Sequence, residues 1–282
     1  MFNYENKVMK IIEVIRIAIE KYKISYKDAK YLMGHTLGKD HYYVAMNDQE
    51  LLLDNIANNF LEFAKQLAEK KPLEYIINRS FFMGLDFYID EHVLIPRNET
   101  EQLVELVLSH VNLTGSKTVL DMCCGSGCIL VSLLSLKESL TGIGADISQQ
   151  AINISQKNAS INQIEKRAKF VQSDLFENIN DKFDVIISNP PYISTHEMNE
   201  LESGVADYEP HLALHGGTSG LDFYEKISVQ AKNHLNKNGA IFFEIGYNQG
   251  KQVCDILKDN GYKDIQLIKD YSGRYRMVWG YG

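Results

Sequence analysis

Cysteine, proline and tryptophan are scarce in this 282-residue chain, with four, five and one copies. None of the four cysteines (Cys123, Cys124, Cys128 and Cys254) has the paired Cys-x-x-Cys spacing of a structural zinc site. Adjacent thiols such as Cys123 and Cys124 rarely bridge, because disulfide geometry forbids it without distortion. They read as small reduced residues packed about a turn, and no metal is expected. Positive charge is also in deficit: 29 Lys and Arg against 37 Asp and Glu leave a net charge of −8. Such a chain has no overall attraction to nucleic acid or to an anionic membrane. No apolar run is long enough to span a bilayer. Residues Met1 to Lys10 are polar and charged, unlike a signal peptide, so the expected location is the cytoplasm.

What is present is an ordinary globular composition, 45% hydrophobic and 23% charged. The length suits one large domain or two ordinary ones. Residues 1–74 read as a small all-helical domain. Val8, Ile11, Ile12, Ile15 and Ile19 mark one helical face. Ser25 to Asp28 resembles a capping box, and Gly34 and Gly38 loosen or end the helix it opens. Leu52, Ile56, Phe60, Phe63 and Leu67 form another stripe, and Pro72 follows as a stop. Residues 75–98 change to short apolar-aromatic pieces around Gly84 and read as a β-hairpin linker.

Residues 99–282 hold a further domain, opening with a helix from Glu99 to about Val111. Strands then alternate with helices from Lys117. Strands are expected near 118–122, 141–146, 168–172, 183–188 and 240–245. A final pair near 265–268 and 275–279 is joined by a turn too short for anything but an antiparallel pairing. The fold class is α/β, a doubly wound seven-stranded sheet.

Candidate chemistry clusters at the expected strand ends. Phe183–Ser188 is an apolar, β-branched run that ends in Asn189-Pro190-Pro191-Tyr192. Two prolines cannot continue a central strand, so the chain must turn out where open α/β sheets bind ligands. Asp121-Met-Cys123-Cys124-Gly125-Ser126-Gly127 is a strand end, a glycine turn and a helix start. Position 130 is Leu, so the third glycine of a dinucleotide fingerprint is missing, and no lysine follows as in a P-loop. An acid at Asp121 fits a cofactor with a positive or neutral centre better than a pyrophosphate. Asp146, ending the next strand, suits two ribose hydroxyls, because a carboxylate accepts bidentately. Asp174, before Leu175, suits an adenine amino group. Each acid alone reads as a solvated strand end; three at successive strand ends form a constellation.

These residues resemble the class I S-adenosylmethionine-dependent methyltransferases. The resemblance narrows to the HemK/PrmC family, which methylates a glutamine of peptide-chain release factors. Lys71–Ile76, Leu94–Thr100, Tyr208–Pro210, Gly216-Gly217, Gly220-Leu221, Phe243–Gly246 and Asp270–Arg274 are similar to its blocks, and the helical start is similar to its N-terminal domain. The resemblance implies S-adenosyl-L-methionine as cofactor, held by Asp121, Cys123, Cys124, Gly125, Ser126, Gly127, Asp146, Asp174, Leu175 and Asn189. It implies class-1 release factors as protein partners, with no membrane and no direct nucleic-acid contact. The acceptor would be the glutamine amide nitrogen of their Gly-Gly-Gln motif.

The implied substrate site is Asn189, Pro190, Pro191 and Tyr192, with Asn189, Pro190 and Tyr192 catalytic. An amide nitrogen is a poor nucleophile, since its lone pair is delocalised into the carbonyl. The Asn189 side-chain carbonyl and the Pro190 backbone carbonyl would each accept one of its N–H groups, and Tyr192 would offer an aromatic face. Two departures stand out: Cys123 and Cys124 replace the usual Gly-Thr, and Asn98 replaces a proline. A cysteine at 123 needs a backbone φ below zero or some strain. The motif also occurs in enzymes that methylate the amino group of adenine, so that reaction, and glutamine methylation of a ribosomal protein, are the alternatives. A nicotinamide dehydrogenase would want the missing glycine, and a non-catalytic adaptor would show a broken acceptor motif.

Overall fold

Among the described residues, the first part of the chain is mostly helical because its apolar residues recur at helical spacing. Ile11–Tyr22 buries Ile11, Val14, Ile15 and Ala18, a face rotated slightly from the expected one, and Val8 lies exposed before it. Ser25 caps Tyr26–Leu37 by accepting the Asp28 N–H at 3.0 Å, and Gly38 ends that helix in the left-handed region, φ 64°. In Asp54–Ala68 the buried residues are Ala57, Phe60 and Ala64. Leu52 is buried too, but on a two-residue strand: Met9–Lys10 pairs antiparallel with Leu51–Leu52 inside a region that reads as all helix. Pro72 does not simply stop a helix; it is the N-cap of a further short one, Leu73–Ile77.

A computed structural model describes residues 8–110 and 117–282. The chain divides into two units, Met1–Asn78 and Arg79–Gly282. The hairpin, Ser80–Phe82 against Leu85–Phe87, groups with the second unit, so the division falls inside the segment read as a linker. Its two-residue loop, Met83 and Gly84, has φ of 51° and 74°, the left-handed pair that matches the twist of a tight hairpin.

The second unit is built on a seven-stranded sheet. In chain order its strands are β1 (Lys117–Met122), β2 (Leu140–Asp146), β3 (Ala168–Gln172), β4 (Phe183–Ser188), β5 (Leu235–Glu244), β6 (Lys263–Lys269) and β7 (Tyr275–Tyr281). The spatial order is β6-β7-β5-β4-β1-β2-β3. The five strands from β5 to β3 are parallel, while β7 lies antiparallel to both β5 and β6. The longer helices are α1 (Asn98–His110), α2 (Cys128–Leu136), α3 (Gln149–Ile161), α4 (Asp222–Ala231) and α5 (Gly250–Asp259). The expected end of α1 at Val111 lies outside the described residues. Strand β4 is nearly continuous in apolar residues because helices cover both faces of the sheet, and Val185, Ile186 and Ile187 are fully buried.

This order fixes where a ligand can sit. Chain connections leave β1 for one side and β4 for the other, so the crevice opens between their carboxyl ends. Met122 and Ser188 are register partners there, and the Ser188 hydroxyl donates to the Met122 carbonyl at 2.6 Å. The next residues along each strand are Cys123 and Asn189. The two stretches that stand out in the sequence thus leave the sheet side by side.

Candidate active site

The glycine turn is braced from beneath by α3. Ser155 donates to the Gly125 carbonyl at 2.8 Å, and Asn158 donates to the Ser126 carbonyl at 2.9 Å. The turn itself is closed by Gly127 N–H donating to the Cys124 carbonyl at 2.7 Å, and Cys124 N–H donates across to Ala145 at 3.0 Å. Cys123 answers the question its identity raised: its φ is 61°, in the left-handed region. A side chain there costs about 1–2 kcal/mol, which a glycine would not incur. Leu175 has φ 47° and lies on the same cavity. Backbone strain held at two positions around one cavity is the pattern of a binding site.

That cavity has a volume of about 460 Å³, within the range of small-molecule sites. It brings together Cys123, Cys124, Gly125, Ser126, Asp146, Asp174, Leu175, Asn189 and Pro191 from the ends of four strands. Asp146 is its best-organised polar group. One carboxylate oxygen accepts the Gly125 N–H and the other the Ser148 N–H, each at 2.9 Å. Burial nevertheless pushes the Asp146 carboxyl above the usual range, against the pull of these backbone donors. Asp174 stands exposed at the rim. Burial also raises the thiols of Cys123, Cys124 and, to about 12, Cys128, so they are packed, un-ionised groups.

Two residues expected to touch a cofactor lie elsewhere. Asp121 is fully buried beneath the turn and does not line the cavity; it accepts the Leu130 N–H, in the first turn of α2, at 3.2 Å. Its other oxygen has no partner among the described residues, and burial raises its carboxyl to about 8. A protonated Asp121 braces the helix start at little electrostatic cost. Gly127 packs away from the cavity: a Cβ there would come within 3.1 Å of Ser155 and 3.2 Å of the Phe170 ring.

A smaller cavity, about 120 Å³, adjoins the first. Pro190, Tyr192 and Glu244 line it, and Asn189, Leu94, Arg97 and Ala213 line both cavities. Asn189 therefore stands in the wall between them. The residues after Tyr192 are held over this cavity by Ile193 N–H donating to Leu214 and Gly216 N–H donating to Ile193. Gly216 is there by necessity, since a Cβ would lie 2.6 Å from the Pro191 carbonyl oxygen and 2.7 Å from the Tyr192 Cα. Gln249 donates to the carbonyls of Tyr192 and Gly220, at 2.9 and 3.1 Å. An ion pair from Arg97 to the buried Glu209 ties the same segment to the start of α1. Sequence reading missed Arg97, Thr100, Glu209, Glu244 and Gln249 as site residues, although four of the five lie in or beside its family-like blocks.

A mixed seven-stranded sheet of this order, with a cavity at the ends of β1, β2 and β4, is the architecture of the S-adenosylmethionine-dependent methyltransferase fold. Residues 97–207 match the methyltransferase small domain family, and residues 20–77 match the PrmC N-terminal domain family. Among curated relatives, the release factor glutamine methyltransferase of Clostridium acetobutylicum is 37% identical over 89% of this chain and 90% of its own length. That of Lactococcus lactis is 42% identical over 83% of each. A solved Thermus thermophilus 16S rRNA methyltransferase in complex with AdoMet and guanosine shares the fold, with 16% identity and a TM-score of 0.52 over 72% of this chain and 49% of that one. The chain belongs to the release factor glutamine methyltransferase family.

Proposed function

We propose that the chain transfers a methyl group from S-adenosyl-L-methionine to the side-chain amide nitrogen of the glutamine in the Gly-Gly-Gln motif of class-1 peptide chain release factors. The observation that carries this reading is Asn189, the polar side chain set in the wall between the larger cavity and the smaller one. The larger cavity suits the cofactor in size and in its donor set. Asp146 would offer acceptor positions to ribose hydroxyls, Asp174 would accept from an adenine amino group, and the turn from Cys123 to Ser126 would present its backbone to the ligand. The cofactor supplies an electrophilic methyl group. The smaller cavity suits a planar amide. There Asn189 Oδ1 and the Pro190 carbonyl would accept the two N–H groups, while Tyr192 would pack against the amide plane. These acceptors favour the nitrogen as it becomes tetrahedral, and the prolines hold them rigid, so the effect is positioning and electrostatics. Burial keeps the Tyr192 hydroxyl un-ionised, which leaves its ring a neutral surface.

Incubating the protein with methyl-labelled cofactor and an intact release factor, then mapping the label by mass spectrometry, tests the assignment. One methyl on the motif glutamine is expected; label on another residue, or none, rejects it. We further propose that the helical unit, which carries its own core and no chemical motif, recognises the release factor. A chain beginning at Arg79 should keep cofactor binding and lose methylation of the intact protein. Methylation by that chain at the full-length rate would remove this role from the helices.

A further inference from the structure

An amide side chain has two nearly isosteric ends of opposite polarity, so something must decide which end of Asn189 faces the smaller cavity. Behind it lies a short buried chain of groups. Asn189 Nδ2 donates to Thr100 Oγ1 at 3.2 Å, and Thr100 Oγ1 donates to Glu244 Oε2 at 2.6 Å. Thr100 and Glu244 are each 2% exposed. A hydroxyl carries one hydrogen, and an ionised carboxylate only accepts. Once Thr100 gives its hydrogen to Glu244, its oxygen can only accept from Asn189. The inward end of the Asn189 amide must then be NH₂, and the outward end must be Oδ1.

We propose that Thr100 and Glu244 are positioning residues that orient the Asn189 amide, so that an acceptor rather than a donor meets the nitrogen to be methylated. This rests on the reading of Asn189 given above. The reversed amide would set its NH₂ against the N–H groups of the substrate, and the interaction meant to strengthen in the transition state would become repulsive. The three groups come from the start of α1, the end of β5 and the residue after β4, so the relay also clamps those elements together around the acceptor cavity.

The charges facing Glu244 fit this role. Arg276 on β7 and Arg97 before α1 favour its ionised form, and Glu99 opposes it. Tyr192, Tyr224 and Cys128 also face it and stay neutral, and the Tyr224 hydroxyl donates to the Glu244 backbone carbonyl at 3.0 Å. Burial outweighs the arginines and raises the carboxyl to about 7. Below that pH Glu244 gains a proton and can itself donate to Thr100. The Thr100 hydrogen is then free to turn toward Asn189, which reverses the chain. Activity that needs the ionised form should therefore fall as pH drops through about 7.

Steady-state methylation of a release factor, with cofactor binding measured by calorimetry, tests the relay in four variants. Thr100→Val keeps the shape and removes the hydroxyl; kcat should fall roughly tenfold, as for a hydrogen bond worth having only in the transition state, with KM and cofactor affinity within about twofold of wild type. Thr100→Ser restores the hydroxyl and should recover kcat. Glu244→Gln cannot titrate, so the acid limb of the wild-type profile of kcat against pH, taken at saturating cofactor, should disappear. Asn189→Ala, run alongside, separates the two levels of the argument. If Asn189→Ala loses its rate while Thr100→Val keeps a wild-type kcat, the relay is wrong and the reading of Asn189 stands. If Asn189→Ala also keeps its rate, the reading of Asn189 has failed. A Thr100→Ser enzyme as slow as Thr100→Val, or an acid limb that survives in Glu244→Gln, overturns the relay.

Discussion

Replacing Asn189 with alanine is expected to lower the methylation rate at saturating substrate by roughly 10²–10³-fold, the size of effect seen when one preorganised polar partner of a transition state is removed. Binding of the release factor should change much less, because most contact with a protein partner lies outside a cavity of about 120 Å³. Cofactor binding should fall less than the rate, since Asn189 lines the larger cavity but the carboxylates and backbone groups there are untouched. The loss should therefore appear in kcat, which marks an interaction made mainly in the transition state. Asn189→Asp is the informative companion. It keeps an acceptor and adds a charge that is costly to desolvate and that also loses the NH₂ group given to Thr100. It should be impaired yet faster than Asn189→Ala. A wild-type rate in Asn189→Ala would reduce the residue to a strand terminator.

Much of this site is legible in the sequence, for a physical reason. Strand β4, most of β1 and the second half of β5 are parallel and buried, so they read as apolar runs, and anything polar or conformationally special at a carboxyl end is conspicuous. Asn189, Asp146 and the glycine turn are of that kind. What a strand end does not disclose is which way a side chain points. Asp121 and Asp146 look alike as acids ending successive strands. One turns beneath the helix start to hold Leu130, and the other turns up into the cavity. Nor does local pattern reveal partners that meet only through the fold. Thr100 is 89 residues from Asn189 and 144 from Glu244, and nothing in either neighbourhood announces the other. In the helical unit, the apolar stripes mark where the first helix and Asp54–Ala68 lie, but not the short helix His41–Met46. The facing direction is rotated, because Val14 and Ala18 pack inward where a period read from isoleucines alone passes over them. The strand pair Met9–Lys10 with Leu51–Leu52 is too short to leave a pattern at all.

The second large effect is expected at Asp146, in binding rather than rate. A carboxylate has about four lone-pair positions. In Asp146 one oxygen accepts the Gly125 N–H and the other the Ser148 N–H, which fixes the plane of the group where it lines the cavity. Asp146→Ala removes both oxygens proposed as acceptors for the ribose hydroxyls. A charge-assisted hydrogen bond contributes ~1.5–3 kcal/mol, so the loss of even one should lower cofactor affinity at least tenfold and on the order of a hundredfold. Asp146→Asn should be almost as weak, because its NH₂ would face one of the two backbone donors. Since burial raises the Asp146 carboxyl, wild-type affinity should also decline toward acid pH, as the group takes up a proton before an ordinary aspartate would. The same carboxylate holds the turn at the cost of burying a charge, so the melting temperature of the ligand-free variant should shift as well. That contribution cancels when protection is measured as the liganded minus the unliganded stability. At a cofactor concentration of ~100 times the wild-type Kd, wild-type protection is ~2.7 kcal/mol, and a hundredfold loss of affinity reduces it to ~0.4 kcal/mol. Calorimetric affinity unchanged in Asp146→Ala would show that Asp146 serves the turn alone.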